Sequence, residues 1–460
     1  MSQTYQIRTG SVRNPNTASR EEMTRRAWWL VVLNLLIPGS AQAVAGSRRL
    51  GKFGLFFTLV GWALAIIALL LFLFAKNFFE YNVLTNAVAL GAIEVILVAY
   101  AIIWVILTLD TLRLTRLIKA GPTARGFVAG FAIVALIATA GTSAYAAYIT
   151  SVTHSTLSAI VNSNLPAVAP VDGRYNIMLL GGDAGPDRVG LRPDSISVVS
   201  LDAKTGQMTM IGIPRDMQKV PFVKSSPLYG PYPQGYNCGV NCLVSFLYTY
   251  GEAHPSLYPN AKKESSSPGI EATKDAVEGI LGIKIQYYLL VDMGGFKDLV
   301  NALGGVTADV TEKLPINGGQ APDGTPIDVS GWIYPGVQKL NGYKALWYAR
   351  SRHSTNDYDR MARQRQLETA VLTQFTPQTV LGNFQSIATA GKEIVTTDIP
   401  SSMLPTFLNL ADKARKHKVK TLELVPPTVY EPNPNFAQIL TLVKQELSTT
   451  TSTPSPTTIP

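Results

Sequence analysis

The chain has 460 residues, 47% of them hydrophobic and 15% charged, with a formal net charge of +9. That length holds two or three domains, and so apolar a composition belongs to a membrane protein rather than a purely soluble one. The positive balance invites a nucleic-acid reading, but no CxxC…HxxxH spacing, helix-turn-helix pattern or RNP-like strand supports one, and two cysteines with four scattered histidines complete no zinc site.

Residues 1–26 are polar, carry Arg8, Arg13, Arg20, Arg25 and Arg26, and are predicted to be a disordered cytoplasmic tail. A membrane region is expected over 27–150. Its first part, 27–46, is apolar but interrupted at Ile37-Pro38-Gly39-Ser40 and basic on both sides, which predicts a re-entrant or interfacial hairpin with both ends inside. Three full spans follow at about 53–75, 87–109 and 127–149, each long enough, at about 1.5 Å per residue, for a hydrocarbon core of roughly 30 Å. The loop between the first two holds only Lys76 and Glu80, whereas the next holds Arg113, Arg116, Lys119 and Arg125 against Asp110. The positive-inside rule then places everything after the third span outside the cytoplasm. Glu94, the one ionisable group within a span, reads equally as a functional site or as a helix-packing or headgroup contact.

A linker is expected at 151–172 and a mixed α/β domain at 173–447, its central sheet covered by helices. Apolar runs at 175–180, 195–201 and 208–213 are strands, the last two joined by a tight turn; 284–291 and 305–310 are further strands, and 243–250, 270–281 and 294–303 have helical spacing. Residues 448–460, rich in Ser, Thr and Pro, read as a disordered tail.

The chemistry gathers at strand ends and in one basic stretch. Asp183 ends the first strand and Asp194 precedes the second, so two carboxylates can meet at one sheet edge, where a hard cation such as Mg²⁺ is held by carboxylates and phosphate oxygens; each is equally readable as a turn former. Arg188 and Arg192 share that loop, and Arg215-Asp216 ends the third strand. Residues 347–366 carry Arg350, Arg352, Arg360, Arg363 and Arg365, with Asp357 and Asp359 the only acids. Guanidinium forks match phosphate oxygens two at a time, and a helix begun at Asn356 or Asp357 sets Asp357, Arg360 and Gln364 on one face; the bland alternative is a solvated helix with internal ion pairs. Cys238 and Cys242 form either a local disulfide, if this part lies outside the cytoplasm, or a pair of buried thiols.

The segments NIMLLGGDAG, LRPDSISVVSLDA, IGIPRDM, LVDMGGFKDLVNALGGV, LNGYKALWYARSR and DYDRMARQRQ, in this order, resemble the LytR-CpsA-Psr family of bacterial cell-wall proteins over about residues 175–375. The resemblance implies a membrane-anchored phosphotransferase with its catalytic domain outside the plasma membrane. Such an enzyme moves a glycopolymer from a polyprenyl-diphosphate carrier to peptidoglycan, to a sugar hydroxyl such as that on C6 of muramic acid. It further implies Asp183 and Asp194 as ligands of Mg²⁺ or Mn²⁺. Arg192, Arg215, Arg350, Arg352, Arg360, Arg363 and Gln364 would grip the diphosphate with Asp357 orienting them, and Asp183, Arg215 and Arg360 would be catalytic. Phe296, Leu299 and Val300 are candidates for the polyprenyl slot, or plain core. Many relatives carry a KIN-like motif where this chain has YPQGYNCGVNCLVSFLYTYG, without a lysine; that cysteine-bearing version is similar to actinobacterial members. Two other readings stand beside this one: a transcriptional attenuator, which needs the domain in the cytoplasm, and a polyprenyl-diphosphate-binding protein or pyrophosphatase.

Overall fold

A computed structural model of the chain describes residues 12–84, 86–160, 165–183, 192–320, 326–351, 357–374 and 395–448. They fall into two compact units, Met1–His154 and Ser155–Pro460.

In the first unit Ser19 caps helix α1 (Arg20–Leu36), its side chain accepting from the Glu22 amide. Residues 20–26, expected to lie in a disordered tail, are therefore the first turns of a helix. The reason is Arg26: it is buried, and it donates from Nε to the Val12 carbonyl and from Nη1 to the Leu114 carbonyl, both at 2.6 Å. Leu114 lies in the last turn of α4 (Ala87–Thr115), where carbonyls lack partners within the helix, so a guanidinium is favoured there. The interruption expected at residues 37–40 is present. Gly39 turns the chain at φ +93° into the short α2 (Ser40–Ala45), and its Cα lies so near Gly54 of α3 (Arg48–Phe74) that an added Cβ would come within 2.8 Å of the Gly54 Cα. Asn34 and Gln42 donate to Thr108, Thr111 and the Leu107 carbonyl of α4 at 2.8–3.1 Å. Helix α5 (Pro122–Ile160) follows and takes in ten residues of the expected linker.

Three stretches, Arg48–Phe74, Val88–Lys119 and Pro122–Ser155, are long and apolar enough to cross a membrane. Only 6% of the most apolar window of the first is buried, so its aliphatic and aromatic side chains face outward, a surface that water would penalise.

The second unit runs β1 (Arg174–Asp183), β2 (Arg192–Asp202), β3 (Met208–Ile213), α6 (Leu247–Ala253), α7 (Pro268–Leu281), β4 (Tyr287–Asp292), α8 (Met293–Ala302), β5 (Val306–Val310), β6 (Leu314–Gln320), β7 (Pro326–Ile333), β8 (Gly336–Leu340), α9 (Gly342–Arg350), α10 (Asp357–Gln374), β9 (Val395–Thr397), α11 (Leu404–Ala414), β10 (Lys420–Glu423) and α12 (Phe436–Ser448). The main sheet has six strands in the order β10-β3-β2-β1-β4-β9. It is mixed: β2 runs antiparallel to both β1 and β3, β4 lies parallel to β1 and β10 parallel to β3.

Alternation along the strands feeds two cores. Met178, Leu180, Ile196, Val198, Ile211 and Ile213 face one side and meet Ile270, Ala276, Val277 and Ile280 of α7. Helix α7 starts where Ser267 accepts from the Ile270 amide with Pro268 in the first turn, and stops at Gly282 with φ +66°. Tyr175, Ile177, Val199, Leu201 and Met210 face the other side, under Leu410 and Ala414 of α11. A third core joins β5, β6, β7 and β8 to α8, α9 and α10 through Val300, Val306, Leu314, Tyr348 and Leu367.

The expected mixed α/β class and its strands through β5 are present; the hairpin of β6 and β7 and the edge strands β9 and β10 were not foreseen. Ile211 is fully buried between β2 and β10, so Ile211→Ala leaves a cavity and should lower the unfolding free energy by about 2–5 kcal/mol in thermal or chemical denaturation.

Candidate functional site

Strand register builds the first half of the site. Asp183, the last residue of β1, pairs with Arg192, the first of β2. Gly182 pairs with Pro193 and Gly181 with Ser195, so Asp194 is the extra residue of a β-bulge, a device that re-aims a side chain at a sheet edge. Next, Ile196 pairs with Ile213. Two residues back from the one and two on from the other stand Asp194 and Arg215, and their side chains meet: Arg215 Nη1 donates to Asp194 Oδ1. Arg215 Nε lies 3.6 Å from Asp216 Oδ1. Burial pulls the Arg215 pKa down, yet the carboxylates of Asp194, Asp216 and Asp357 outweigh it and raise the net value.

The last of those acids comes from α10, so the sheet edge and the arginine helix converge. Asp357 and Arg360 face one another across one turn, Arg360 Nη2 lying 3.0 Å from each Asp357 oxygen, and Arg360 is only 3% exposed. Gln364, one turn on, donates to the Ala349 carbonyl at 3.3 Å, while its buried Oε1 has no hydrogen-bond partner among the described residues. Arg350, exposed at the end of α9, sits with its guanidinium 5.5 Å from the Trp347 ring centroid. Arg192, also exposed, lies 5.0 Å over Phe246. Arg188 and Arg352 lie outside the described residues, as do the details of the Asp183 side chain.

Arg363, expected to grip phosphate, binds the protein itself in this structure: Nε donates to the Tyr348 carbonyl at 3.0 Å, Nη2 to the Ser351 carbonyl, and Nη1 to Glu312 at 3.3 Å. A count of arginines on a helix does not tell which one faces inward, and this one holds the end of α9 that carries Arg350. Val300, a candidate for the lipid slot, is fully buried in the third core.

Of the two readings of Cys238 and Cys242, the local disulfide is the one present, with Cα atoms 5.0 Å apart. Other supporting residues carried no sequence signal. Just beyond the disulfide the Val244 and Ser245 amides donate to the carbonyls of Met217 and Arg215 at 2.9 and 3.1 Å, and Phe246 takes Arg192. Below the bulge, Arg365 of α10 donates to Ser195 Oγ at 3.0 Å and pairs with Glu368, which also accepts from Ser197 at 3.1 Å. Glu423 of β10 lies 3.6 Å from Arg365 Nε, and a Cβ on Gly212 would collide with its Oε2.

The strand register sets Asp183 and Asp194 at positions on adjoining strands, and carboxylate with phosphate oxygen is the donor set that a divalent cation prefers. No group of three His, Cys, Asp or Glu side chains able to hold a metal occurs among the described residues, so an ion would depend on the ligand for its remaining oxygens. On donor chemistry the pair fits.

The model of the LytR_cpsA_psr family matches residues 137–453. The chain belongs to this family. Curated relatives of this LytR-CpsA-Psr protein include the polyisoprenyl-teichoic acid–peptidoglycan teichoic acid transferase TagV of Bacillus subtilis (strain 168), 29% identical over 243 residues, or 52% of this chain and 53% of the relative. Biofilm regulatory protein A of Streptococcus mutans serotype c (strain ATCC 700610 / UA159) is 27% identical over 258 residues, 54% of this chain and 56% of the relative. The chain thus spans about half the length of these relatives. The crystal structure of B. subtilis TagV aligns over 62% of this chain and all of its own, at 26% identity and a TM-score of 0.44. The membership expected from the motifs is thereby met.

Two expected outcomes follow from the geometry. Arg363→Ala strands two carbonyls and Glu312 and should cost on the order of 2–4 kcal/mol of stability, whereas Arg350→Ala should leave the thermal midpoint almost unchanged. Glu423 is the pH probe. Burial pushes its carboxyl up to about 7, Arg365 partly opposing and Glu368 adding to the rise. The folded chain thus binds this proton more tightly than the unfolded one, so the group's contribution is full below its ordinary value of 4.5 and is lost as pH rises toward about 7. Glu423→Gln should therefore raise the melting temperature at pH 8 relative to wild type, and the gain should vanish at pH 4.

Proposed function

We propose that this protein is a membrane-anchored phosphotransferase that moves a glycopolymer from a polyprenyl-diphosphate carrier to peptidoglycan outside the cytoplasm. The observation that carries the reading is the convergence of Arg215, Asp194, Asp357 and Arg360 at one sheet edge, since two guanidinium forks oriented by carboxylates at one place suit a ligand bearing several phosphate charges. The name of the TagV relative, a transferase acting between polyisoprenyl-linked teichoic acid and peptidoglycan, supports the reaction class. The apolar stretches and the basic loop around Arg113, Arg116, Lys119 and Arg125 support anchoring with the second unit outside.

In this reading Arg215 and Arg360 face the diphosphate and stabilise the charge that develops as an acceptor hydroxyl attacks the phosphorus bound to the glycan. A new O–P bond forms, the bond to the bridging oxygen breaks, polyprenyl phosphate leaves, and the hydroxyl proton passes to a base, a role we assign to Asp183. Gln364 offers its buried amide to the same ligand, and Arg192 and Arg350 bind from the exposed rim. Asp183 and Asp194 would hold Mg²⁺ or Mn²⁺, which when bound neutralises phosphate charge.

Arg360→Ala and Asp194→Ala should each lower turnover of a labelled lipid-diphosphate glycan by at least about a hundredfold with the melting temperature of Asp194→Ala kept within a few degrees. Label that becomes wall-bound only when peptidoglycan is supplied supports transfer. Release of phosphate without wall-bound label makes the protein a pyrophosphatase, and wild-type turnover in both variants removes the site.

A further inference from the structure

Tyr358 stands between Asp357 and the Arg360 turn, and its hydroxyl lies 2.6 and 2.7 Å from the two oxygens of Glu431. Glu431 belongs to the segment between β10 and α12, which is fixed to the first core by Leu424 and Val429, 0% and 2% exposed. The carbonyl of the same Glu431 accepts from the Gln218 amide at 3.0 Å, three residues after Arg215. A second tie runs alongside, from Lys219 Nζ to Asn433 Oδ1 at 2.7 Å. One residue thus holds the loop that follows β3 by its backbone and the first turn of α10 by its side chain.

We propose that Glu431 is a positioning residue that sets the separation between Arg215 and the Asp357–Arg360 pair by clamping Tyr358. Several features favour this over incidental surface contact. A phenol donating to a carboxylate is a charge-assisted hydrogen bond, stronger than a neutral one. The anion sits by the first turn of α10, where the helix dipole favours negative charge. Burial, and after it the Glu431 carboxylate, push the Tyr358 phenol up, so the proton stays on the tyrosine and the bond persists across physiological pH. Nothing in the motif pattern pointed to residue 431, because the clamp joins positions 73 residues apart.

The inference rests on the proposed function for its kinetic consequence but not for its structural one, and the test separates them. The full chain in detergent, as wild type, Tyr358→Phe, Glu431→Ala, Glu431→Gln and the double variant Tyr358→Phe/Glu431→Ala, is compared in amide hydrogen exchange over residues 357–364 and in kcat and KM for transfer of a labelled lipid-diphosphate glycan. Tyr358→Phe and Glu431→Ala should each speed exchange in that helical turn and lower kcat by about tenfold, with the double variant no worse than either and exchange in β1 and β2 unchanged. Glu431→Gln, which still accepts from the phenol, should recover most of the loss. Unchanged exchange in both single variants, or losses that multiply in the double variant, would overturn the clamp. A wild-type chain that transfers nothing would sink the proposed function instead, and exchange alone would then decide the clamp.

Discussion

The arrangement depends on one ion pair, Arg215 with Asp194, and on the strand register that makes it. A one-residue slip between β2 and β3 would carry Asp194 to the opposite face from Arg215 and would turn Ile196 and Val198 out of the first core. The bulge between β1 and β2 is therefore a positional requirement, for it is what frees Asp194 from the ladder while the apolar residues on either side stay paired. Because the pair is only about a quarter exposed, its attraction is less screened than that of a surface bridge, and its partial neutrality makes room for a further anion rather than repelling one.

From that pair the support spreads outward through neighbouring side chains. Arg365 and Glu368 bind α10 to the hydroxyls of Ser195 and Ser197 below the bulge, and Arg363 holds the end of α9 against the same helix. The disulfide between Cys238 and Cys242 precedes a turn whose amides fix the Arg215 and Met217 carbonyls. Three elements that are remote in sequence, a sheet edge, an arginine helix and the segment after β10, thus share one rigid floor. Rigid support is what lets a site stabilise charge without reorganising when the charge appears.

Much of this was legible in the chain itself. Continuous apolar runs marked β1 to β4 because both faces of the sheet are covered, and the acids and arginines at their ends followed from the turns. Asp357, Arg360 and Gln364 fall on one helical face by spacing alone. What was illegible was direction and distance. Spacing could not say that Arg363 faces carbonyls while Arg360 faces Asp357, since both lie on the same helix three residues apart. Nor could it find Glu423 or Glu431, whose partners lie 58 and 73 residues away and whose local sequence shows only a short strand and a proline-rich loop. In the first unit the basic residues read as solvated charge, and the helix start at Arg20 was missed because Arg26 satisfies backbone carbonyls instead.

The central claim, that the sheet edge and the arginine helix form a single anion site, is tested most directly by a double-mutant cycle on binding of inorganic pyrophosphate, measured by calorimetry on the full chain with Mg²⁺ present. Arg215→Ala and Arg360→Ala should each weaken binding by about tenfold or more, and the double variant by clearly less than the product, because both groups hold one ligand. Two binding events, each lost in one variant and kept in the other, would mean two independent sites, and binding that neither variant affects would contradict the account.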